Sequence, residues 1–232
     1  MTRGEVLRYL GWQVRDRTGP RILVPWLITA AICLPLHFAM TSDGPPSPEP
    51  LGRMVQGLYF QLACLAVVVL FHGIVAEDRT KGYYRFYLAK PVSPLWFYGQ
   101  SFVLAVVGML VFTAGFLTIF SLAVHPAWHW RLLTSGAALG LLIGGMIFAF
   151  STVSSLDWLW MIGAVIAASY LRARFPRGES ALGKVLHAVL PPNQLVDEAT
   201  LTAGEYAWVA GWGIGLFALG LLVLRRRPLG EA

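Results

Sequence analysis

The stretch FYGQSFVLAVVGMLVFTAGFLTIFSLAV, residues Phe97–Val124, contains no Asp, Glu, Lys or Arg. A helix needs about 20 mainly apolar residues to cross the hydrocarbon core of a bilayer, and this run is long enough. Its polar residues do not alternate with apolar ones, as a barrel strand would require. Five further apolar runs flank it, at Ile22–Met40, Val55–Ala76, Leu132–Val153, Trp158–Leu171 and Tyr206–Leu224. The sequence therefore predicts an all-α polytopic membrane protein with six transmembrane helices, in a single domain over residues 1–232.

Composition points the same way. Hydrophobic residues make up 56% of the 232 and charged residues 13%, about half the usual quarter. That excludes a disordered chain, which needs low hydrophobicity and high charge. Two cysteines exclude a disulfide-stapled secreted domain. The net charge of +6 is explained by arginines beside the apolar runs, so no nucleic-acid partner is expected. The first run reads as an uncleaved span. Its basic leader is long, Pro25 and Pro35 interrupt it, and no Ala-x-Ala site follows.

The distribution of Lys and Arg sets the orientation. With the N-terminus inside, the inner segments hold Arg3, Arg8, Arg15, Arg17, Arg21, Arg79, Lys81, Arg85, Lys90, Arg225, Arg226 and Arg227. The outer segments hold Arg53, Arg131, Arg172, Arg174, Arg177 and Lys184. Twelve against six favours both termini in the cytoplasm. If Trp158–Leu171 does not span, the tally becomes thirteen against five, so charge alone leaves five and six spans open. The absence of charge in Leu159–Leu171 and a plausible tight turn at Ser154–Asp157 favour six.

Three segments between the runs have patterns of their own. Residues 1–21 are expected to form a cytoplasmic interfacial helix, with Val6, Leu7, Leu10 and Val14 on one face and arginines on the other. The Pro-rich stretch Thr41–Gly52 reads as an extended outer loop. Residues 77–96 concentrate charge at Glu77, Asp78, Arg79 and Lys81, then break at Gly82. A short aromatic piece with Tyr84 and Tyr87 follows, stopped by Pro91 and Pro94. Residues 172–205 form an outer insertion, in which Leu182, Val185, Leu186 and Val189 share a helix face opposite Lys184 and His187.

This order resembles the membrane subunits of type-2 ABC exporters, the ABC-2 permease family. The loop carries the likeness. Glu77-Asp78-Arg79-x-x-Gly82 followed by Leu88-Ala89-Lys90-Pro91-Val92-Ser93 is similar to the family's acidic-basic-Gly turn and Pro-Val-Ser element, although Pro94 stands where the family often has an arginine. The closing Leu224–Leu229 and the insertion at Ala181–Pro192 are similar too. The resemblance implies an exporter permease, with a cytoplasmic coupling helix between spans 2 and 3. Glu77, Asp78, Arg79, Lys81, Gly82, Tyr84, Tyr87 and Pro91 would contact an ATP-binding cassette subunit. A second permease subunit, identical or different, would complete the pathway through the inner (plasma) membrane.

No G-x-x-x-x-G-K-[ST] phosphate loop occurs, so the chain is not expected to hydrolyse ATP alone. ATP and Mg would reside on the partner, and no cofactor or metal is expected on this chain. His125 and His129 stand at i, i+4, but Pro126 intervenes and Trp128 and Trp130 flank them, which suits an interfacial aromatic belt better than a metal site. No catalytic constellation is expected. Ionisable side chains within spans are scarce: His37, His72 and Asp157 lie at or near their ends. That favours an externally driven pathway over an ion-coupled carrier, and permits a lipidic or amphiphilic substrate. The alternative function is a non-transporting membrane anchor or scaffold subunit. Finally, Gly136, Gly140 and Gly144 recur every four residues, as do Gly211 and Gly215. Small residues at this spacing let helices approach closely, so the triple is expected to face another helix.

Overall fold

The computed structural model describes residues 10–43, 48–80, 93–124, 131–176, 180–190 and 202–226. Among them every regular element is helical and no strand occurs. After a π-helical turn at Val14–Thr18 come α1 (Gly19–Asp43), α2 (Pro48–Phe71), α3 (Ala76–Thr80), α4 (Pro94–Ala123), α5 (Arg131–Ser151), α6 (Asp157–Arg174), α7 (Ala181–Val189) and α8 (Ala203–Arg226). Five stretches are long and apolar enough to cross a bilayer: Gly19–Phe38, Met54–Asp78, Leu95–Ala123, Arg131–Ser151 and Ala203–Arg226. The protein thus has the helices of a multi-pass membrane protein. The remaining expected span corresponds to α6, whose 18 residues include Asp157, Arg172 and Arg174, and it is not among the five.

Two connections differ from expectation. Of the expected N-terminal interfacial helix, residues 1–9 lie outside the described residues, while residues 10–13 are helical and continue through the π turn into α1 without a break. The Gly19 N–H bonds to the Val14 carbonyl, five residues back, and so widens the turn just ahead of Pro20, which has no N–H to give. The Pro-rich stretch is not extended throughout, because α1 runs to Asp43 and α2 starts at Pro48. Pro48 and Pro50 fall in the first turn of α2, where a helix N–H has no intrahelical partner to lose.

Helix α5 is the hub, packing on α2, α4, α6 and α8, while α4 also packs on α1 and α2. Four phenylalanines from α2, α4, α5 and α8 meet at the centre. Phe102 stacks on Phe217 with ring centroids 4.2 Å apart, and meets Phe71 and Phe148 edge-on at 5.4 and 5.8 Å. Such pairs contribute about 0.5–1.5 kcal/mol each beyond the area they bury.

Lipid tails are as apolar as leucine, so close van der Waals packing must hold these helices together. Gly136, Gly140 and Gly144 all face neighbouring helices. A Cβ on Gly136 would meet the Thr113 and Tyr59 hydroxyls, one on Gly144 would enter the Phe71 ring, and one on Gly140 would lie 3.3 Å from the Met109 side chain. Gly140→Leu should therefore cost about 1–3 kcal/mol by overpacking. Gly140→Ala should cost less, because Met109 can yield. Thermal unfolding in detergent checks both, and an unchanged Gly140→Leu midpoint would contradict this packing. By contrast, Gly211 and Gly215 have open space beside them. On α8 it is Gly213 that meets α5, backbone against backbone, at Leu141 and Gly145.

Candidate functional site

The charged loop after the second run begins in a turn at residues 72–75. Gly73 has φ of 71°, the left-handed conformation that ends a helix and that glycine adopts without Cβ strain. The turn then starts α3, with the Glu77 N–H donating to the Gly73 carbonyl at 3.1 Å.

Two side chains from distant helices brace this turn. On one side stands Asp157, at the start of α6 and 0% exposed. Its Oδ2 accepts from the Gly73 N–H at 3.0 Å, and its Oδ1 accepts from the Trp158 N–H at 2.8 Å. His72 Nδ1 lies 2.6 Å from the same Oδ1. A carboxylate only accepts, so this bond requires the proton on Nδ1. On the other side, Arg21 Nη1 donates to the His72 carbonyl at 2.8 Å, and Nη2 pairs with Glu77 Oε2 at 2.7 Å. The guanidinium thereby satisfies an orphan carbonyl at the C-terminal end of α2, where a cation suits the helix dipole. A third tie lies nearby: Gln13, 1% exposed, donates from Nε2 to Ser101 Oγ at 2.9 Å and holds the N-terminal helical segment against α4.

The residues expected to contact a partner divide as follows. Glu77 is engaged by Arg21 within the chain, and Asp78 is only 4% exposed. Arg79 belongs to α3, and its side chain lies outside the described residues, as do Lys81, Gly82, Tyr84, Tyr87 and Pro91. Arg21 and Asp157 are the functional candidates that sequence patterns did not pair with the loop. The available signal was Asp157 itself, a lone acid between two apolar runs. Among the described residues no three His, Cys, Asp or Glu side chains gather as a metal site.

The two halves of the brace should differ in weight. Glu77→Ala removes one partly exposed ion pair and should cost no more than about 1 kcal/mol. Arg21→Ala also strips the end of α2 of a donor and should cost about 1–2 kcal/mol. Equal thermal midpoints for the two variants would show that Arg21 does not cap α2.

No protein-family model, curated protein or solved structure matches the chain.

Proposed function

We propose that the chain is the membrane-spanning permease subunit of an ABC exporter. It would move a substrate that the sequence does not identify, a lipidic or amphiphilic one being permitted, using ATP and Mg held by a separate ATP-binding cassette subunit, and would pair with a second permease subunit. One observation carries most of the weight: the turn at residues 72–75 is tied to α1 through Arg21 and to α6 through Asp157. A push on such a loop reaches two membrane helices together. The charge at residues 77–81 and the likeness of Glu77–Ser93 to the family's loop supply the partner. In this assignment Glu77, held by Arg21, braces the base of the coupling segment, Asp78 is buried beside it, and Arg79 through Pro91 meet the ATPase.

The six-span topology belongs to the same proposal. At about 1.5 Å per residue, the 18 residues of α6 reach about 27 Å, near the ~30 Å of a hydrocarbon core. Arg172 and Arg174 at its end would snorkel to the headgroups. Both termini would then be cytoplasmic, at the inner (plasma) membrane, as the arginine distribution favours. Single cysteines at Gly178 and Gly230, in a background lacking Cys33 and Cys64, should label from opposite sides of the membrane. Labelling from one side would leave five spans.

The functional test is co-expression with a candidate ATPase, read by pull-down and by ATPase stimulation in lipid. Tyr84→Asp and Tyr87→Asp should weaken both readouts while the spans still insert. Full binding and stimulation in these variants would move the contact elsewhere. Failure to find any ATPase partner would favour the scaffold function.

A further inference from the structure

Helices α2, α5, α6 and α8 leave a cleft of about 850 Å³ between them. Its wall holds no Asp, Glu, Lys, Arg or His, and Cys64, Ser169 and Trp212 supply its only side-chain S–H, O–H or N–H groups. The volume falls within the roughly 300–1,000 Å³ of ligand pockets. The cleft is elongated along the helices. It follows α5 from Leu139 to Phe150 and α8 from Trp212 to Val223, about 16 Å on each at 1.5 Å per residue. That is about half of a ~30 Å hydrocarbon core, on the halves of α5 and α8 nearer Ser151 and Arg226.

One end of the cleft is cationic. Leu190 is part of the wall, and its carbonyl accepts a hydrogen bond from Arg172 Nη2. Arg172 follows the wall residue Ser169 by less than a turn of α6. Its Nε is buried with no acceptor among the described residues, and so is His187 Nε2 on α7. Arg174 and Lys184 belong to the same segment, and the sequence from 158 to 190 holds four Lys or Arg residues against one acid, Glu179.

We propose that this cleft holds one acyl chain of an anionic membrane phospholipid, with the headgroup phosphate at Arg172. The apolar wall takes the chain, and the guanidinium at its end offers donors that a phosphate accepts. This site rests on the cleft and Arg172, not on an ATPase partner, and would hold for a permease or a scaffold alike.

The experiment is native mass spectrometry of the purified full chain, titrated with phosphatidylglycerol or phosphatidylcholine bearing identical acyl chains. One phosphatidylglycerol should survive delipidation and bind about tenfold more tightly than phosphatidylcholine, the weight of one charge-assisted bond. Arg172→Gln should bring phosphatidylglycerol down to the phosphatidylcholine affinity. Ala164→Trp and Ala168→Trp, whose positions line the cleft, should weaken both lipids at least tenfold. Ile214→Trp, on the exposed side of α8, should change neither. Thermal unfolding identifies which variants are folded, and either cleft-filling variant suffices. Equal affinity for the two lipids in the wild type, or undiminished lipid binding in a folded cleft-filling variant, overturns the proposal. So does dissociation of a dimer on adding lipid, which would assign the cleft to a second copy.

Discussion

Asp157→Ala should destabilise the protein by about 3–5 kcal/mol, the largest loss expected at this end of the bundle. The substitution removes the acceptor of two backbone N–H groups and of the His72 ring at a position with no exposure. Each buried donor left without a partner costs about 1–3 kcal/mol. The His72 side chain is 45% exposed, so water replaces part of what its ring loses and the two backbone N–H groups carry most of the cost. Asp157→Asn keeps one acceptor oxygen and should lose roughly half as much. His72→Ala should fall between that and the wild type, since the Gly73 and Trp158 bonds survive. A double-mutant cycle over His72 and Asp157, read by unfolding in detergent, isolates their coupling. Additive losses would mean that the imidazole and the carboxylate do not act together. If the loop drives α6, Asp157→Asn should also lower ATPase stimulation more than its stability loss explains.

Gly213→Leu should be comparably damaging, at about 3 kcal/mol or more, the upper end for overpacking. A Cβ on Gly213 would come closer than 3.0 Å to the Leu141 backbone, and one on Gly145 would do the same against Gly213. Backbone cannot rotate aside as a side chain can, so α5 and α8 must separate. Gly211→Leu and Gly215→Leu enter open space and should be nearly neutral. Size-exclusion profiles after a heat step distinguish the two groups. A monodisperse Gly213→Leu protein at the wild-type midpoint would contradict the α5–α8 contact.

The glycines also show what a sequence can disclose. Gly136, Gly140 and Gly144 mark a close-packed face because four-residue spacing keeps them on one side of a helix. Applied to α8, the same spacing picks out Gly211 and Gly215, which are open. Each residue turns the helix by about 100°, so Gly213 lies about 200° from Gly211, nearly opposite, while Gly220 shares its side. Spacing reveals a face but not what that face meets. Charge-free runs were legible because the bilayer penalises charge wherever the chain folds. For α6, the terminal Asp157, Arg172 and Arg174 blur that signal. The brace was illegible for another reason: Arg21, the turn that holds His72 and Glu77, and Asp157 come from three separate parts of the chain, and only the packing of α1, α2 and α6 selects their pairing.

The π turn at Val14–Thr18 gives the chain one surplus residue per turn at that point. Were the turn to tighten into ordinary helix, the segment ahead of it would swing by about 100° around the axis of α1. Gln13 would leave Ser101 and its buried position for the lipid or solvent side. The amide–hydroxyl bond therefore keeps the register of the first helix, holding residues 10–13 at one clock position against α4.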